Sequence, residues 1–401
     1  MGAGTETRRS GSAGTPGVRR TAAERNLLEA AAAAAAVAAR GADAADRDGR
    51  LAPQTVAALT DAGFHRLLVP PGWGGMGGSF ATWVTAVAAV GEGCTSAAWV
   101  AAVFAGFGRL AGFLPHAGQR SVWGKDPDVR LVGAVAPSGR ATPVPGGWLL
   151  TGTWRYVSGA AFSDWALLAG HVPDEGAGHV RFFAVPREGY DVTAAWSAAG
   201  MRGTGSDTVG VDEAYVAEEL SFPGRLAADG GPPARHRPAV PSGAVTPLGF
   251  VAPALGAATG ALTAWAERLG GAADAGKEPS DAVRVALARS TAEVDAARLL
   301  VDRAAATADR GCAAPADAVR NARDAALAMD LVVTAVSRQY RLLGTGGQSE
   351  PRFQRPWRDI TTAAGHAVLA FEAAGRAYAD ESITSRRAPH VVRRDTRSHR
   401  A

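Results

Sequence analysis

The chain has 401 residues, 47% of them hydrophobic and 20% charged, two cysteines and a formal charge of +4. That length allows two or three domains with a substantial core, while Cys94 and Cys312, far apart in Ala-rich surroundings, exclude a disulfide scaffold or a cysteine zinc site and suit a reducing cytoplasm. The charge misleads: residues 1–20 carry +3 and 385–401 carry +5, leaving 32 basic against 36 acidic residues between them, so a nucleic-acid groove is disfavoured.

Both ends, 1–20 and 385–401, are expected to be disordered tails, and the first has arginines but no apolar run, which argues against a secretory signal. Residues 21–48 predict an Ala-rich helix whose run 30–39, bounded by Glu29 and Arg40, is not apolar enough to span a bilayer. LAPQTVAALTDAGFHRLLVP (51–70) predicts a second helix, with Pro53 in its first turn and Gly63 as its stop. GWGGMGG (72–78) is a glycine loop, and helices follow at 79–92, 95–113 and 116–124. GWGGMG matches G-x-G-x-x-G, but LLV is too short a strand before it, Pro70-Pro71 break any ladder, and no second strand follows the helix. A dinucleotide site is therefore disfavoured.

From about 131 to 222 the hydrophobic period is two, with hairpin signals at PSG (137–139), GG (146–147) and DEGAG (174–178). Within it, GGWLLTGTWRYVSGAAFSDW (146–165) places Trp148, Leu150, Trp154 and Tyr156 on one strand face and Leu149, Thr151, Thr153, Arg155 and Val157 on the other. Such an aromatic face beside a small hydroxyl suits a flat, partly polar ring, and equally an ordinary sheet packed on helices. Residues 223–243, rich in Pro, Gly and Arg, read as a linker. Helical period returns over 244–384, with starts at Pro279-Ser280-Asp281 and Pro315-Ala316-Asp317 and stops at Gly311 and Gly344. GTGGQ (344–348) lacks the Lys-Ser/Thr of a phosphate loop and reads as a helix–helix turn. Helices, then a sheet, then long helices: the order predicts α+β, with 21–130 helical, 131–222 β and 244–384 a four-helix bundle, and a cofactor-sized cleft between.

Two polar residues stand out. Ser158 ends the aromatic strand, and a Ser-Gly pair there is also a common turn. His366 lies in QRPWRDITTAAGHAVLAFEAAGRAY, read as one helix opened by Pro356. Thr362 sits four residues before it in reach of the imidazole; Asp359, two turns away, is too far to bond. A lone histidine on an Ala-rich helix is also an ordinary core residue. Arg358–Asp359 reads as a structural pair.

The run G-x-W-x-x-x-G-x-W-x-x-x-S-G, followed by GMRGTGSDT (200–208), resembles the middle domain of the acyl-CoA dehydrogenase fold. Within that fold the similarity, from about 22 to about 380, is closest to the two-component flavin-dependent monooxygenases, and more narrowly to the actinomycete hydroxylases of aromatic polyketide biosynthesis. The resemblance implies an N-terminal helical domain, a middle β-barrel or sheet and a C-terminal four-helix bundle, assembled as a cytoplasmic homotetramer. It implies hydroxylation of an aromatic, phenolic, polyketide-derived substrate with O2 through a C4a-hydroperoxyflavin. FMN is the expected flavin, with FAD the alternative, and it arrives reduced from a separate NAD(P)H-dependent flavin reductase. By the same resemblance Ser158 lies beside the flavin N5 edge and His366 over its reacting face. Tyr156, Arg202, Thr204, Ser206 and Thr208 join Ser158 as cofactor-binding residues. Trp99, Phe104 and Phe250, with Phe107 and Trp265, are candidate pocket walls or ordinary core. Acyl-CoA dehydrogenases carry a glutamate base about nine residues after the Arg-Asp pair; here His366-Ala367 follow Arg358-Asp359, and α-proton abstraction from a thioester has no carboxylate. N-hydroxylation of an amine or amino-sugar fits the same residues, and a non-catalytic ligand-binding relic stays open. No metal, nucleic acid or membrane is expected.

Overall fold

The structure, a computed structural model, describes residues 20–172, 179–231, 239–312 and 314–386. The expected DEGAG turn, most of both tails and residues 232–238 of the expected linker lie outside the described residues.

Five helices come first: α1 (Ala22–Asp48), α2 (Pro53–Asp61), α3 (Phe80–Gly93), α4 (Thr95–Ala111) and α5 (His116–Trp123). α1 opens with a capping box between Thr21 and Glu24. Glu24 also accepts from Ser79 N–H and from the Ser79 and Thr82 hydroxyls at the start of α3. Those bonds hold its carboxyl down at about 2 against the opposing effect of burial. The buried stripe of α1 is Leu27, Ala31, Ala34, Ala38, Ala42 and Ala45. The second helix is shorter than expected: α2 ends at Asp61, Gly63 takes φ 89°, and only a 3-10 turn at Phe64–Arg66 follows. The 72–78 loop is a structural turn that folds back on residues 66–69, with Met76, Gly77 and Gly78 N–H donating to Arg66, Val69 and Leu67 carbonyls.

The sheet has seven strands in the order β5-β6-β2-β1-β3-β4-β7, from β1 (Leu131–Val144), β2 (Gly147–Val157), β3 (Trp165–His171), β4 (Val180–Pro186), β5 (Asp191–Thr193), β6 (Asp207–Ala217) and β7 (Ser221–Pro223). β1 and β3 are parallel and the other pairs antiparallel. Pro137-Ser138-Gly139 is no hairpin. It is an irregularity inside β1, whose pairing with β3 skips from Ala134 to Gly139, as expected where a proline has no N–H for the ladder. The β2–β6 pairing shifts twice, between Leu150 and Gly152 and between Trp154 and Val157, and the latter shapes the strand end before Ser158. Tyr156 adopts φ 66°, so the alternation breaks. Trp148, Leu150 and Trp154 face inward as expected, but Val157 follows them and Tyr156 turns out, 61% exposed.

Residues 223–243 are not wholly a linker, since α6 (Gly224–Asp229) forms within them. Then come α7 (Ser242–Asp274), α8 (Asp281–Asp309), α9 (Pro315–Leu342), the one-turn α10 (Gly344–Gln348), α11 (Pro351–Ala364) and α12 (Phe371–Thr384). α7 is the one helix among the described residues long and apolar enough to cross a membrane, but it is mostly buried at the centre of the protein. It packs backbone to backbone on α3: a Cβ at Gly256 would stand 1.9 Å from the Ala88 carbonyl oxygen. The expected last helix is two, because α11 opens at Pro351, not Pro356, and stops before His366. The break between α11 and α12 is what gives His366 a fixed backbone setting.

Candidate active site

β2 delivers Ser158 to a row of hydroxyls. Ser158 Oγ lies 2.7 Å from Ser206 Oγ, which lies 2.7 Å from Thr204 Oγ1, which donates to the Met201 carbonyl at 2.8 Å. Gly159 N–H donates to the Thr204 carbonyl, tying the strand end to the 201–206 loop. The loop is anchored from α11. Asp359, 2% exposed, accepts from Met201 N–H at 2.6 Å, and Met201 holds the left-handed φ of 55°. Burial pushes the Asp359 carboxyl up to about 6, against the Met201 hydrogen bond. Its expected partner Arg358 instead pairs with Asp46 on α1, at 2.6 Å. The Asp359 carboxylate meets Met201 N–H, while the Arg358 guanidinium spans from the Ala199 carbonyl to Asp46, so adjacency in sequence does not become a pair.

Trp99 of α4 links this row to His366. Its indole N–H donates to Ser158 Oγ at 3.0 Å. Its ring centroid is 4.6 Å from Phe250 and 5.9 Å from His366, and Phe250 stacks on His366 at 4.2 Å. The resemblance implied that the hydroxyl and the imidazole face one flavin ring. They do converge, from residues 158 and 366, but the indole stands between them, because a buried indole N–H needs an acceptor and Ser158 is the one supplied. His366 is not inside a helix: it caps the 3-10 turn Ala367–Leu369, its Nδ1 accepting from Val368 N–H at 3.4 Å. That bond replaces the expected orienting contact from Thr362. Burial lowers the imidazole pKa below its ordinary value, so the ring is neutral near pH 7.

The outward Tyr156 meets Trp196 edge to face at 5.9 Å. Trp196 was not found by sequence reasoning. It is held by Asp207, which accepts from Ala195 and Trp196 N–H, and by its own indole donating to the Met201 carbonyl. The Asp of GMRGTGSDT was the available signal. Arg202 leaves the hydroxyl row: its Nε donates to the Asp46 carbonyl, and it lines a polar cleft of about 620 Å3 with Arg47, Asp43 and Arg358. Thr208 lies on β6 opposite Thr193, one strand residue beyond the loop. Two candidate pocket walls are core: Phe104 is fully buried beneath Gly159, and Trp265 is 1% exposed in the bundle. Phe107, half-buried, packs against Gly133 of β1.

A second space lies against the turn that His366 caps. A cavity of about 390 Å3 is lined by Leu110, Val135, Thr246, Ala367, Val368 and Ala374 among others, and no ionisable side chain lines it. Thr246 lies one helical turn before Phe250 on the same face of α7. Arg109, the cation behind this wall, directs Nη2 to the Val240 carbonyl and Nη1 to Ser242 Oγ at 3.3 Å. Among the described residues there is no cluster of three His, Cys, Asp or Glu able to hold a metal. A planar tricyclic flavin fits this set of polar and aromatic groups: Ser158 and its neighbours match a polar ring edge, and Trp99 supplies aromatic surface beside that hydroxyl.

Comparison with known proteins agrees with the fold. The acyl-CoA dehydrogenase N-terminal domain model matches residues 21–113 and the C-terminal domain model residues 248–371. The chain is 31% identical over 341 residues to the flavin-dependent monooxygenase oxygenase subunit HsaA of Mycobacterium tuberculosis, covering 80% of this chain and 85% of that one. It is 30% identical to the oxygenase component of the FADH2-dependent resorcinol hydroxylase of Rhizobium sp., covering 81% and 86%. The crystal structure of the 3-HSA hydroxylase of Rhodococcus sp. RHA1 superposes with a TM-score of 0.85 at 26% identity, covering 90% of this chain and 97% of that one. With a fold and relatives that agree, the chain belongs to the oxygenase subunits of the flavin-dependent monooxygenases, built on the acyl-CoA dehydrogenase fold.

Proposed function

We propose that this chain hydroxylates a phenolic, multi-ring aromatic substrate of the polyketide type, using reduced FMN delivered by a separate NAD(P)H-dependent flavin reductase. The observation that carries the reading is the continuous Ser158–Trp99–Phe250–His366 cluster, with an uncharged cavity of about 390 Å3 against the turn that follows His366. When bound, reduced flavin supplies the electrons that let one atom of O2 enter the ring while the other leaves as water. The chain's residues do the rest. Ser158 accepts a hydrogen bond from the flavin N5–H and keeps that proton in place, with Thr204 and Ser206 fixing its hydroxyl. Tyr156 and Trp196 flank the ring, with Arg202 and Thr208 on the rim of the same loop. Trp99 and Phe250 exclude water around the reacting edge. His366, neutral near pH 7, takes the phenolic proton as the ring becomes nucleophilic.

The cavity supports the substrate class. Its size matches a ligand of several rings, and a carboxylate inside it would meet no cation on the lining. FADH2 is the alternative donor, favoured by the named cofactor of the resorcinol hydroxylase; the ring system is common to both. Leu299 and Val285, 72% and 66% exposed on α8, suit the proposed homotetramer, which sedimentation would report at roughly four times 40.9 kDa. A cytoplasmic site of action fits the two free cysteines. The test is oxygen-dependent turnover with and without a reductase: turnover by the purified chain from NADH and oxidised FMN alone would contradict the division of labour.

A further inference from the structure

We infer that the hydroxyl row Thr204–Ser206 presets Ser158 as an acceptor toward the cofactor, so that these two residues select reduced over oxidised flavin. The inference rests on the reading that Ser158 meets the flavin N5 edge, and it follows from counting protons. Three O···O contacts lie in series: Met201 carbonyl to Thr204 Oγ1 at 2.8 Å, Thr204 to Ser206 at 2.7 Å, and Ser206 to Ser158 at 2.7 Å. Each needs one proton between its oxygens, because two bare acceptors at that distance repel. Three hydroxyls supply three protons, and the carbonyl supplies none.

Only one assignment satisfies all three contacts. Thr204 donates to the Met201 carbonyl, Ser206 donates to Thr204, and Ser158 donates to Ser206. The direction is fixed by the end of the chain that cannot donate. Trp99 N–H then occupies one lone pair of Ser158, at 3.0 Å. A serine hydroxyl has one proton and two lone pairs, so Ser158 has one lone pair left for a ligand and no proton. All three hydroxyl residues are buried, at 1%, 6% and 9% exposure, so water does not readily rescue a mismatch. Reduced flavin offers N5–H, a donor, to that lone pair. Oxidised flavin offers a bare N5, and acceptor would face acceptor at the cost of an unsatisfied buried group.

The row makes two variants informative in different ways. Thr204→Val keeps shape but removes the acceptor of the Ser206 proton. Ser206 can then donate to Ser158, whose own proton is pushed toward the ligand, inverting the preset. Ser206→Ala frees the Ser158 proton without forcing it outward. The experiment is anaerobic titration of the full-length protein with FMN and with dithionite-reduced FMN, comparing the ratio of the two dissociation constants. Wild type should favour the reduced form. Thr204→Val should shrink that preference by about tenfold or more, Ser206→Ala by less, and Thr204→Ser should restore it. A tenfold change in the ratio is a shift of about 30 mV in the two-electron potential of the bound flavin, which gives a second readout without turnover. Equal losses of affinity for both forms would mean a merely structural row and would overturn the inference, as would an unchanged ratio in both variants. If Ser158→Ala left both affinities untouched, the placement of Ser158 on the flavin would fall, and the inference with it.

Discussion

The bond between Trp99 and Ser158 can be weighed by a double-mutant cycle. Both groups are buried, at 7% and 9% exposure, and the N–H to Oγ distance is 3.0 Å. Ser158→Ala leaves the indole N–H without an acceptor, a loss of about 1–3 kcal/mol for an orphaned buried donor. It also deprives Ser206 of the proton donated to it, worth about another 1 kcal/mol as an ordinary neutral hydrogen bond. A total of roughly 2–4 kcal/mol is expected. Trp99→Phe removes the donor together with the orphan, and its cost is mainly indole packing against Phe250 and His366. In that background Ser158→Ala should cost only its Ser206 share. The two changes should therefore be non-additive by about 1–3 kcal/mol, read from urea unfolding of the four proteins. Additivity within about 0.5 kcal/mol would refute the bond, and with it the tie between the hydroxyl row and the indole that packs on His366.

Three further outcomes follow from the same geometry. His366→Ala should still bind reduced flavin but release hydrogen peroxide in place of hydroxylated product, with product formation reduced by roughly 10²–10⁴-fold. Because burial depresses the imidazole pKa, wild-type activity should fall only as pH drops below the ordinary 6.5, and the variant's residual activity should lack that acid limb. Asp359, raised from 3.8 to about 6, keeps its proton in the folded state where the unfolded chain has lost it. Its contribution is thus present at low pH and lost as pH rises from about 4 to about 6, on the order of 3 kcal/mol in all. Asp359→Asn, which retains an oxygen for Met201 N–H, should flatten that slope in the difference of unfolding free energies against pH; identical slopes would contradict the burial argument. Ala374→Trp should fill the cavity, raising KM for a three-ring phenol at least tenfold while sparing resorcinol, a single ring; equal effects on both would detach the cavity from the substrate.

Much of the architecture was legible because it rests on period and punctuation. The Ala-rich α1, the start at Pro315, and the stops at Gly63, Gly311 and Gly344 are local signals that tertiary contacts did not override. What sequence misplaced depends on partners far along the chain. Tyr156 left the face of Trp154 because β2 bulges against β6, and a bulge is set by the register of another strand. His366 looked helical since nothing in TTAAGHAV forbids a helix; the break is fixed by packing around Leu369 and Val368. Motif resemblance named Ser158, His366, Ser206 and Thr204, which the fold brings into one cluster around Trp99. Trp196 and the Asp359–Met201 clasp were missed, as each is defined by a backbone N–H or ring more than ten residues away. The orientation of the hydroxyl row was beyond sequence altogether, since it follows from three distances.

One measurement bears most directly on the central claim: product analysis under 18O2 with reduced flavin supplied by an independent reductase. The expected result is one 18O atom in each hydroxylated aromatic product, lost on omission of the reductase and replaced by labelled hydrogen peroxide in His366→Ala. Product that takes its new oxygen from water, or that forms at full rate without any source of reduced flavin, would contradict it.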